Sequence, residues 1–264
     1  MAGVNLVGNP FGVKAYIDRA SYTMNGEGYV LINAGSSIDV MQGVLVEAAE
    51  EGEQLNFTTE APGKGSNLSL NVTSESKLVD RAIVNFGNGR NLSKITFSEN
   101  DSKLYMTQDS RDFAVVYSEG QGEMPVCFKA QKNGTYNISF TAENAEFSYL
   151  HLIDNMTGID VDLLENPSYS FDARTTDYAS RFRLVFSAGN ANMGDDFGFF
   201  SNGNLLILGI DGEATVQLID VTGRILSSET FSGNYSKAVN EAQGVYMLRL
   251  IQGDNVRTQK IVVK

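Results

Sequence analysis

The chain has 264 residues, of which 42% are hydrophobic and 20% charged, so it has enough apolar material for one large or two moderate folded domains. Its formal net charge of −12 makes nucleic acid and anionic membrane surfaces poor partners, because an acidic chain repels phosphate groups. The single cysteine, Cys127, excludes an intrachain disulfide, and no stretch approaches the ~20 apolar residues of a membrane-spanning helix.

The charge is distributed unevenly along the chain. Residues 197–264 hold six of the 32 acidic and six of the 20 basic residues, so the whole net charge lies on residues 1–196. This asymmetry predicts two domains with different surfaces. The first residues lack the basic segment and apolar core of a signal peptide, and we therefore expect the C-terminal region of a longer protein.

Short β-strands are predicted along the first part of the chain. Gly, Asn, Asp and Ser separate runs rich in Val, Ile, Thr, Tyr and Phe, and long stripes with a 3.6-residue period are missing. The predicted strands are residues 5–7, 29–32, 43–48, 54–58, 69–73, 82–86, 102–107, 113–118, 125–130, 134–141, 147–153, 159–164, 168–172 and 180–186. Such a series predicts an antiparallel sandwich or jelly roll.

Few residues in the first part of the chain are suited to catalysis or to metal binding. His151 is the only histidine and lies between two leucines of a strand, and Cys127 lies in a strand-like run typical of buried cysteines, so we expect no catalysis and no cofactor. One histidine and one cysteine cannot complete a zinc site. Carboxylates flank one turn and form a weak calcium candidate. Its residues are Asp154, Asn155, Asp160 and Asp162.

A linker is predicted where Gly, Asn and Asp replace the strand-forming residues, at residues 187–196. We therefore predict an acidic module over residues 1–190, a linker over 191–199 and a second domain over 200–264. In this second domain, residues 202–208 and 215–226 predict a strand and a hairpin. Asp220 and Gly223 form its turn, because Asp can bond the turn backbone and Gly accepts positive φ.

The last residues predict a terminal hairpin. In the first strand Tyr246, Leu248 and Leu250 alternate with Met247 and Arg249, and residues 252–255 form the turn. The second strand ends with Lys260, Ile261, Val262, Val263 and Lys264.

These motifs, in this order and at the C-terminus, resemble the C-terminal sorting domain of cargo proteins of the type IX secretion system of Bacteroidetes. The resemblance covers about a quarter of the chain. It implies an immunoglobulin-like sandwich that directs a protein across the outer membrane. The implied sorting residues are Asp220, Gly223, Arg224, Gly244, Val245, Tyr246, Arg249, Lys260, Ile261, Val262, Val263 and Lys264.

The same resemblance implies partners and a location. The partners are the type IX secretion machinery and a surface sortase-like peptidase, which would cleave in the linker and join the cargo to a lipopolysaccharide anchor at the cell surface. Residues 4–11, 43–47, 80–86, 149–158, 166–171 and 181–186 resemble a β-sandwich module that precedes such domains, and this module carries no active-site residues.

The sequence therefore predicts an all-β protein with two antiparallel β-sandwich domains, a larger jelly-roll-like sandwich and a small immunoglobulin-like C-terminal domain. The first domain is predicted to be a spacer or binding module. Two alternatives stay open: an adhesin or carbohydrate-binding module with a glycan or host-protein ligand, and a glycoside hydrolase domain, which requires two facing carboxylates in a cleft.

Overall fold

The computed structural model describes residues 3–25, 28–63, 65–188, 197–201 and 203–263. Within these residues the fold is all-β, with several antiparallel sheets and no helix, which confirms the predicted fold class. The strands are β1 (Gly3–Gly8), β2 (Ala15–Ile17), β3 (Ser21–Asn25), β4 (Gly28–Ile32), β5 (Ser37–Ile38), β6 (Gly43–Ala48), β7 (Phe57–Thr58), β8 (Asn67–Ser74), β9 (Lys77–Phe86), β10 (Leu92–Ser93), β11 (Lys103–Gln108), β12 (Arg111–Ser118), β13 (Gln121–Lys129), β14 (Gly134–Glu143), β15 (Phe147–Asp154), β16 (Ile159–Asp162), β17 (Ser168–Ala173), β18 (Phe182–Ala188), β19 (Gly198–Ser201), β20 (Asn204–Ile219), β21 (Ile225–Ala238), β22 (Gly244–Gln252) and β23 (Asn255–Val263).

Each predicted strand of the first part overlaps an observed strand. The strands that the sequence pattern missed are β2, β3, β5 and β10, together with β19 near the C-terminal domain. Four of these five strands have two to four residues, which is too short for an alternation to be recognised. The fifth, β3, buries the consecutive residues Ser21, Tyr22 and Thr23, so it shows no alternation either.

The chain divides into two compact units. The first unit comprises the described parts of Met1–Ser118, Met124–Ala145 and Leu152–Arg183, and the C-terminal unit comprises Glu119–Glu123, Glu146–His151 and the described parts of Leu184–Lys264. The predicted limits at residues 190 and 200 stay predictions. Residues 191–196 of the predicted linker lie outside the described residues, whereas Gly198 already belongs to β19.

The sheets preceding β19 have orders that place distant parts of the chain side by side. A four-stranded sheet has the order β1-β6-β3-β4, and a three-stranded sheet has the order β5-β2-β7. An eleven-stranded sheet has the order β16-β15-β18-β13-β11-β12-β9-β8-β14-β17, with β10 paired to β12. One of its pairings, β9 with β12, is parallel.

Apolar contacts join these sheets within the first unit. Tyr22 and Leu31 of the four-stranded sheet pack in one cluster with Ile83 and Val115 of the large sheet. A second cluster joins β2, β5 and β6 through Ile17, Ile38, Val44 and Val46. The first unit therefore has the layered packing that a β-sandwich needs.

The C-terminal unit is built around one long bent strand, β20. Its first half pairs with β19 and its second half pairs with β22, while β21 accompanies it along both halves. The register with β21 shifts between Ile207 and Glu213, where Gly209 and Gly212 have φ of 68° and 77°. Because such positive φ values suit glycine and β-bulges bend strands, these positions let β20 turn from one half-sheet into the other.

The bend places the two halves of β20 around one core. Leu205 and Ile207 come from the first half, and Val216 and Leu218 come from the second. The hairpin of β22 and β23 completes this core with Tyr246, Leu248, Leu250 and Ile261, and Phe197 joins it from the segment before β19. Alternation along each strand thus fixes which side chains are buried.

Candidate recognition surface of the C-terminal unit

The terminal hairpin has the predicted register. Gly244 lies opposite Val263, and Gln252 lies opposite Asn255, so Gly253 and Asp254 form a two-residue turn. Gly253 has φ of 57°, the positive value that the first position of a tight hairpin turn favours. The predicted turn over residues 252–255 is therefore confirmed, and its tightness fixes the register of both strands.

The two faces of the hairpin differ in composition. The inner face carries the buried side chains of Tyr246, Leu248, Leu250, Gln259 and Ile261. The opposite face, which we call the hairpin outer face, consists of Val245, Met247, Arg249, Thr258, Lys260 and Val262. Val245 is 40% exposed and lies directly opposite Val262, which is 49% exposed. The outer face therefore presents apolar and basic groups together.

Ten of the twelve predicted sorting residues fall into three groups, and Gly244 and Lys264 lie outside them. Four of them, Val245, Arg249, Lys260 and Val262, lie on the hairpin outer face. Tyr246, Ile261 and Val263 point to the inner side, where Tyr246 and Ile261 are buried and Val263 packs against the core. Asp220, Gly223 and Arg224 lie at the turn between β20 and β21, and Gly244 begins β22. Lys264 lies outside the described residues.

Tyr246 has a structural role that its motif did not specify. Its ring is 9% exposed, and its hydroxyl donates a hydrogen bond of 2.7 Å to the carbonyl of Ala242. A tyrosine that bonds the backbone a few residues upstream is a known corner device of β-sandwiches. The bond holds the segment before β22 against the strand and so supports the start of the hairpin.

The Asp220 turn is held by its own side chain. The carboxylate of Asp220 accepts hydrogen bonds from the Thr222 hydroxyl and from the backbone N–H groups of Thr222 and Arg224. These bonds, the Thr222 hydroxyl first, lower the pKa of Asp220 to about 2. Gly223 has φ of 87°, as the prediction of a glycine at the end of this turn requires. Asp220 and Gly223 are therefore explained by turn chemistry alone.

Arg224 and Arg249 differ in how far their guanidinium groups are engaged. The Arg224 side chain is 75% exposed and its Nε lies 3.1 Å from the Asp220 carboxylate. Arg249 donates to the amide oxygen of Gln217 on the neighbouring strand, at 3.4 Å. Both arginines are accessible to a partner.

The most informative residue that sequence reasoning missed is Gln259. Its amide oxygen accepts hydrogen bonds of 2.8 Å from the N–H groups of Phe197 and Gly198, and its amide nitrogen donates to the carbonyl of Gly198. It is only 8% exposed, and it ties β23 to the start of β19. The signal was present, because Gln259 interrupts the apolar face formed by Ile261 and Val263.

The calcium candidate uses its carboxylate in another way. Asp154 is buried and accepts hydrogen bonds from the guanidinium of Arg181, at 2.7 to 3.2 Å, from the Tyr169 hydroxyl and from the N–H of Met156. Although burial alone raises the pKa of Asp154, its bonds with Arg181 hold it below its usual value. The Asp154 carboxylate therefore serves an ion pair.

The other calcium candidates do not join Asp154 in one cluster. Asn155 receives a hydrogen bond from Arg183 and donates to the backbone of Ser180, and Asp162 accepts the N–H of Leu164. Asp160 is exposed on β16. Among the described residues, no three His, Cys, Asp or Glu side chains are grouped so that they could hold a metal ion.

The single histidine and cysteine are placed as the sequence predicted. The His151 ring stacks on Tyr149 with a centroid distance of 4.1 Å and is half-buried. Cys127 is buried, its thiol lies 3.5 Å from the Thr107 hydroxyl, and burial raises its pKa. A buried thiol with a raised pKa is a poor nucleophile.

A comparison with protein-family models agrees with this architecture. Residues 201–264 match the model described as a secretion system C-terminal sorting domain. This part of the chain is therefore a C-terminal sorting domain, the class that the terminal hairpin and the Asp220 turn indicated. Within residues 201–264 the matched family is that of type IX secretion, which supports a sorting signal on a secreted protein.

The wider comparisons add no relative. No curated protein and no solved structure matches the chain. In the described part of the chain, no helix combines the length and the apolar character that crossing a membrane demands.

Proposed function

We propose that the type IX secretion machinery recognises this chain through the hairpin outer face and the adjacent edge of β23. The family match places the sorting signal at residues 201–264, and β23 is the last strand of the order β19-β20-β22-β23. The observation that carries the proposal is the exposure of Lys260 and Val262, which alternate along β23 with the buried residues Gln259 and Ile261.

An edge strand suits such recognition. Its outer N–H and C=O groups can pair with a strand of the partner, and the alternating side chains then give specificity. On β23 the alternation puts Thr258, Lys260 and Val262 toward solvent and Gln259 and Ile261 into the core. A partner strand would thus gain backbone pairing without disturbing the packing of the unit.

A second proposal concerns the fate of the protein after export, and it rests on the family match. We propose that a surface sortase-like peptidase removes the sorting domain and joins the preceding part to a lipopolysaccharide anchor, so that it stays on the cell surface. Cleavage is proposed in the part of the predicted linker before Phe197, because flexible linkers have few backbone hydrogen bonds to break, whereas the N–H groups of Phe197 and Gly198 are bonded to Gln259. The first unit would then be displayed as a spacer or as a binding module.

We also propose that the chain is not an enzyme. Two observations support this proposal: Cys127 is buried beside Thr107, and the Asp154 carboxylate is held by Arg181. An adhesin role for the first unit, with a glycan or host-protein ligand, remains the second candidate and is favoured by the cavity described below.

Substitutions on the outer face test recognition. We expect Val262→Asp and Lys260→Glu, made in the whole chain behind a signal peptide, to retain most of the protein in the periplasm. Cell fractionation followed by immunoblotting measures the secreted fraction. The matched controls are Val40→Asp, at a valine of the first unit that is 47% exposed, and Lys77→Glu, at an exposed lysine of β9.

The controls separate recognition from folding. All four purified variants should unfold within a few degrees of the unaltered chain, because surface substitutions usually change stability by less than ~0.5 kcal/mol. Normal secretion of both outer-face variants would show that the machinery reads another surface. Equal retention of the controls would show that any added negative charge blocks export.

A further inference from the structure

The first unit contains a large cavity that the sorting function does not use. Its volume is about 750 Å³, which lies in the range of about 300 to 1,000 Å³ typical of small-molecule sites. Tyr16, Asn33, Asn85, Tyr117 and Glu143 are among the residues that line it. These side chains come from separate strands and loops of the first unit.

A row of hydrogen-bonding side chains crosses one wall of this cavity. Glu143 on β14 lies opposite Asn67 on β8, Asn67 lies opposite Asn85 on β9, and Asn85 lies beside Tyr117 on β12. Directly paired residues point to the same side of a sheet, and neighbouring strands are about 4.8 Å apart. We call this row the polar ladder: Glu143, Asn67, Asn85 and Tyr117.

The polar ladder is built into the fold. Asn67 and Asn85 are each only 6% exposed, although their strands belong to a sheet with apolar packing. Asn67 donates to the Glu143 carboxylate at 3.3 Å. Asn85 and Asn33 exchange amide hydrogen bonds of 2.7 and 2.8 Å. Buried amides with such fixed partners present their remaining hydrogen-bonding groups in a defined direction.

The remaining groups can both donate and accept hydrogen bonds. The Asn85 side chain also bonds Tyr117, and burial raises the pKa of Tyr117, so its hydroxyl keeps a proton to donate. The exposed Glu143 carboxylate has accepting capacity beyond its bond from Asn67, and the Asn67 amide nitrogen has two N–H groups, of which one bonds Glu143.

Backbone hydrogen bonds join residues that line the cavity. Gly35 donates to the carbonyl of Ile17 at 2.7 Å, and Phe86 donates to the carbonyl of Ser66 at 2.9 Å. Tyr16 also lines the cavity, and it lies between the buried residues Ala15 and Ile17 of β2, so its ring projects from the other face of the strand. A lining with a tyrosine ring and a row of amides combines a flat apolar surface with polar groups.

The charges of the lining decide between classes of ligand. Asp18 and Glu143, which line the cavity, are acidic. Asp18 is already bonded to Arg19 and Asn56. The Glu143 carboxylate disfavours phosphorylated, sulfated or carboxylated ligands, because like charges repel.

We infer that this cavity binds a neutral saccharide, with Tyr16 stacking on a sugar ring and the polar ladder bonding its hydroxyl groups. Sugar hydroxyls donate and accept in closely spaced sets, which matches the alternation of amide, hydroxyl and carboxylate along the polar ladder. The inference makes the first unit a binding module. It does not depend on the sorting role, because binding can be measured on the purified chain.

The experiment uses the whole purified chain on a printed array of neutral, sialylated and sulfated oligosaccharides. Titration calorimetry with the best neutral oligosaccharide then gives its dissociation constant. Tyr16→Ala and Glu143→Gln are expected to weaken binding about tenfold each, as loss of a ring contact or a charge-assisted hydrogen bond usually does. Tyr178→Ala, at a tyrosine that is 49% exposed, and Glu165→Gln, at an exposed glutamate, lie outside the cavity and should bind normally.

Each outcome decides the inference. Neutral oligosaccharides retained by the intact chain and lost in the cavity variants would support it. It would be overturned by retention of anionic oligosaccharides alone, by no retention at all, or by equal affinities in all variants. Because Glu143 is exposed, Glu143→Gln should fold normally and is decisive even if Tyr16→Ala unfolds. None of these results would support or contradict the proposed secretion of the chain.

Discussion

The two units use the same strand chemistry but place their polar groups differently. Each contains a tyrosine whose hydroxyl donates to a carbonyl upstream: Tyr136 to Lys132 at 2.8 Å, and Tyr246 to Ala242 at 2.7 Å. The first unit, however, also buries Asp154 with Arg181 and the amides of the polar ladder. The C-terminal unit buries Gln259 in an apolar core.

The difference indicates that the two units have different functions. Buried polar networks fix side-chain directions, which suits a unit that holds a ligand. The C-terminal unit has a small apolar core with one buried amide, so its recognition groups lie on the surface. This arrangement suits a domain that a partner binds from outside. Substitutions at matched positions can break or sharpen this comparison.

The largest effect is expected at the buried ion pair of the first unit. Asp154→Asn leaves the Arg181 guanidinium, which also stacks on Phe171 at 4.7 Å, without its counter-charge. Breaking such a pair typically costs about 3 to 5 kcal/mol of unfolding free energy. Urea denaturation measures this loss of unfolding free energy. The control is Asp39→Asn in the exposed pair with Lys14, where less than ~1 kcal/mol is expected, and similar losses in both variants would contradict the assignment.

The same pair predicts a pH dependence. Arg181 holds the pKa of Asp154 below its usual value in the folded state, so the unfolded chain takes up this proton first as the pH falls. The stabilisation is therefore complete above about pH 5 and is lost as the pH falls through about 4 toward the folded-state pKa. Urea denaturation from pH 7 to pH 3 should show a smaller loss in Asp154→Asn than in the unaltered chain, and equal losses would contradict the prediction.

The next effect is expected at Gln259. Gln259→Leu fills the same space but removes the acceptor of the Phe197 and Gly198 N–H groups and the donor to the Gly198 carbonyl. Leaving buried backbone groups unpaired should cost about 2 to 3 kcal/mol. Thr258→Ala, at the exposed neighbouring position, should be near neutral. Thermal unfolding of both variants measures the difference, which would vanish if Gln259 only filled space.

A smaller effect is expected from a single methyl group at Gly198. A Cβ there would lie 2.6 Å from Cδ2 of Leu248, so Gly198→Ala should strain the core by about 1 to 2 kcal/mol. At Gly134 an added Cβ meets no atom within 4 Å, which makes Gly134→Ala the matched control in the first unit. Chemical denaturation compares the two, and an equally mild result at Gly198 would mean that Leu248 moves freely.

The smallest effect is expected at the two tyrosine corners. Tyr136→Phe and Tyr246→Phe each remove one hydroxyl bond to a carbonyl and should cost about 1 kcal/mol. Tyr136 should lose more, because its hydroxyl also lies 3.3 Å from that of Ser102. Thermal unfolding of both variants shows which one loses more stability. A larger loss in Tyr246→Phe would show that the Ser102 contact contributes nothing.

Sequence reasoning succeeded where a local pattern carries the information. Alternation and turn residues predicted the terminal hairpin, since Tyr246, Leu248 and Leu250 face the core and Gly253 accepts a positive φ. The Asp220 turn was equally local. Strands as short as β5 and β10 contain too few residues to show a period, and they form because neighbouring strands offer them a partner.

Other features depend on which strands become neighbours. Glu143, Asn67, Asn85 and Tyr117 are far apart in the chain, and only the order β12-β9-β8-β14 aligns them into the polar ladder. The sequence did not reveal Arg181 as the partner of Asp154 for the same reason. A carboxylate in a turn has the same local sequence pattern whether it binds an arginine or a metal cation. The predicted sorting residues rest on their motifs, and these motifs did not separate the exposed Lys260 from the buried Ile261.

The account depends most on the claim that residues 201–264 carry the sorting signal. The direct measurement places a signal peptide and a fluorescent reporter before the whole chain in a type IX-competent bacterium and compares it with a chain that ends at Phe200. We predict protease-accessible reporter at the cell surface for the whole chain and periplasmic reporter for the shortened one. Periplasmic retention of the whole chain, or equal surface delivery of both, would contradict the claim.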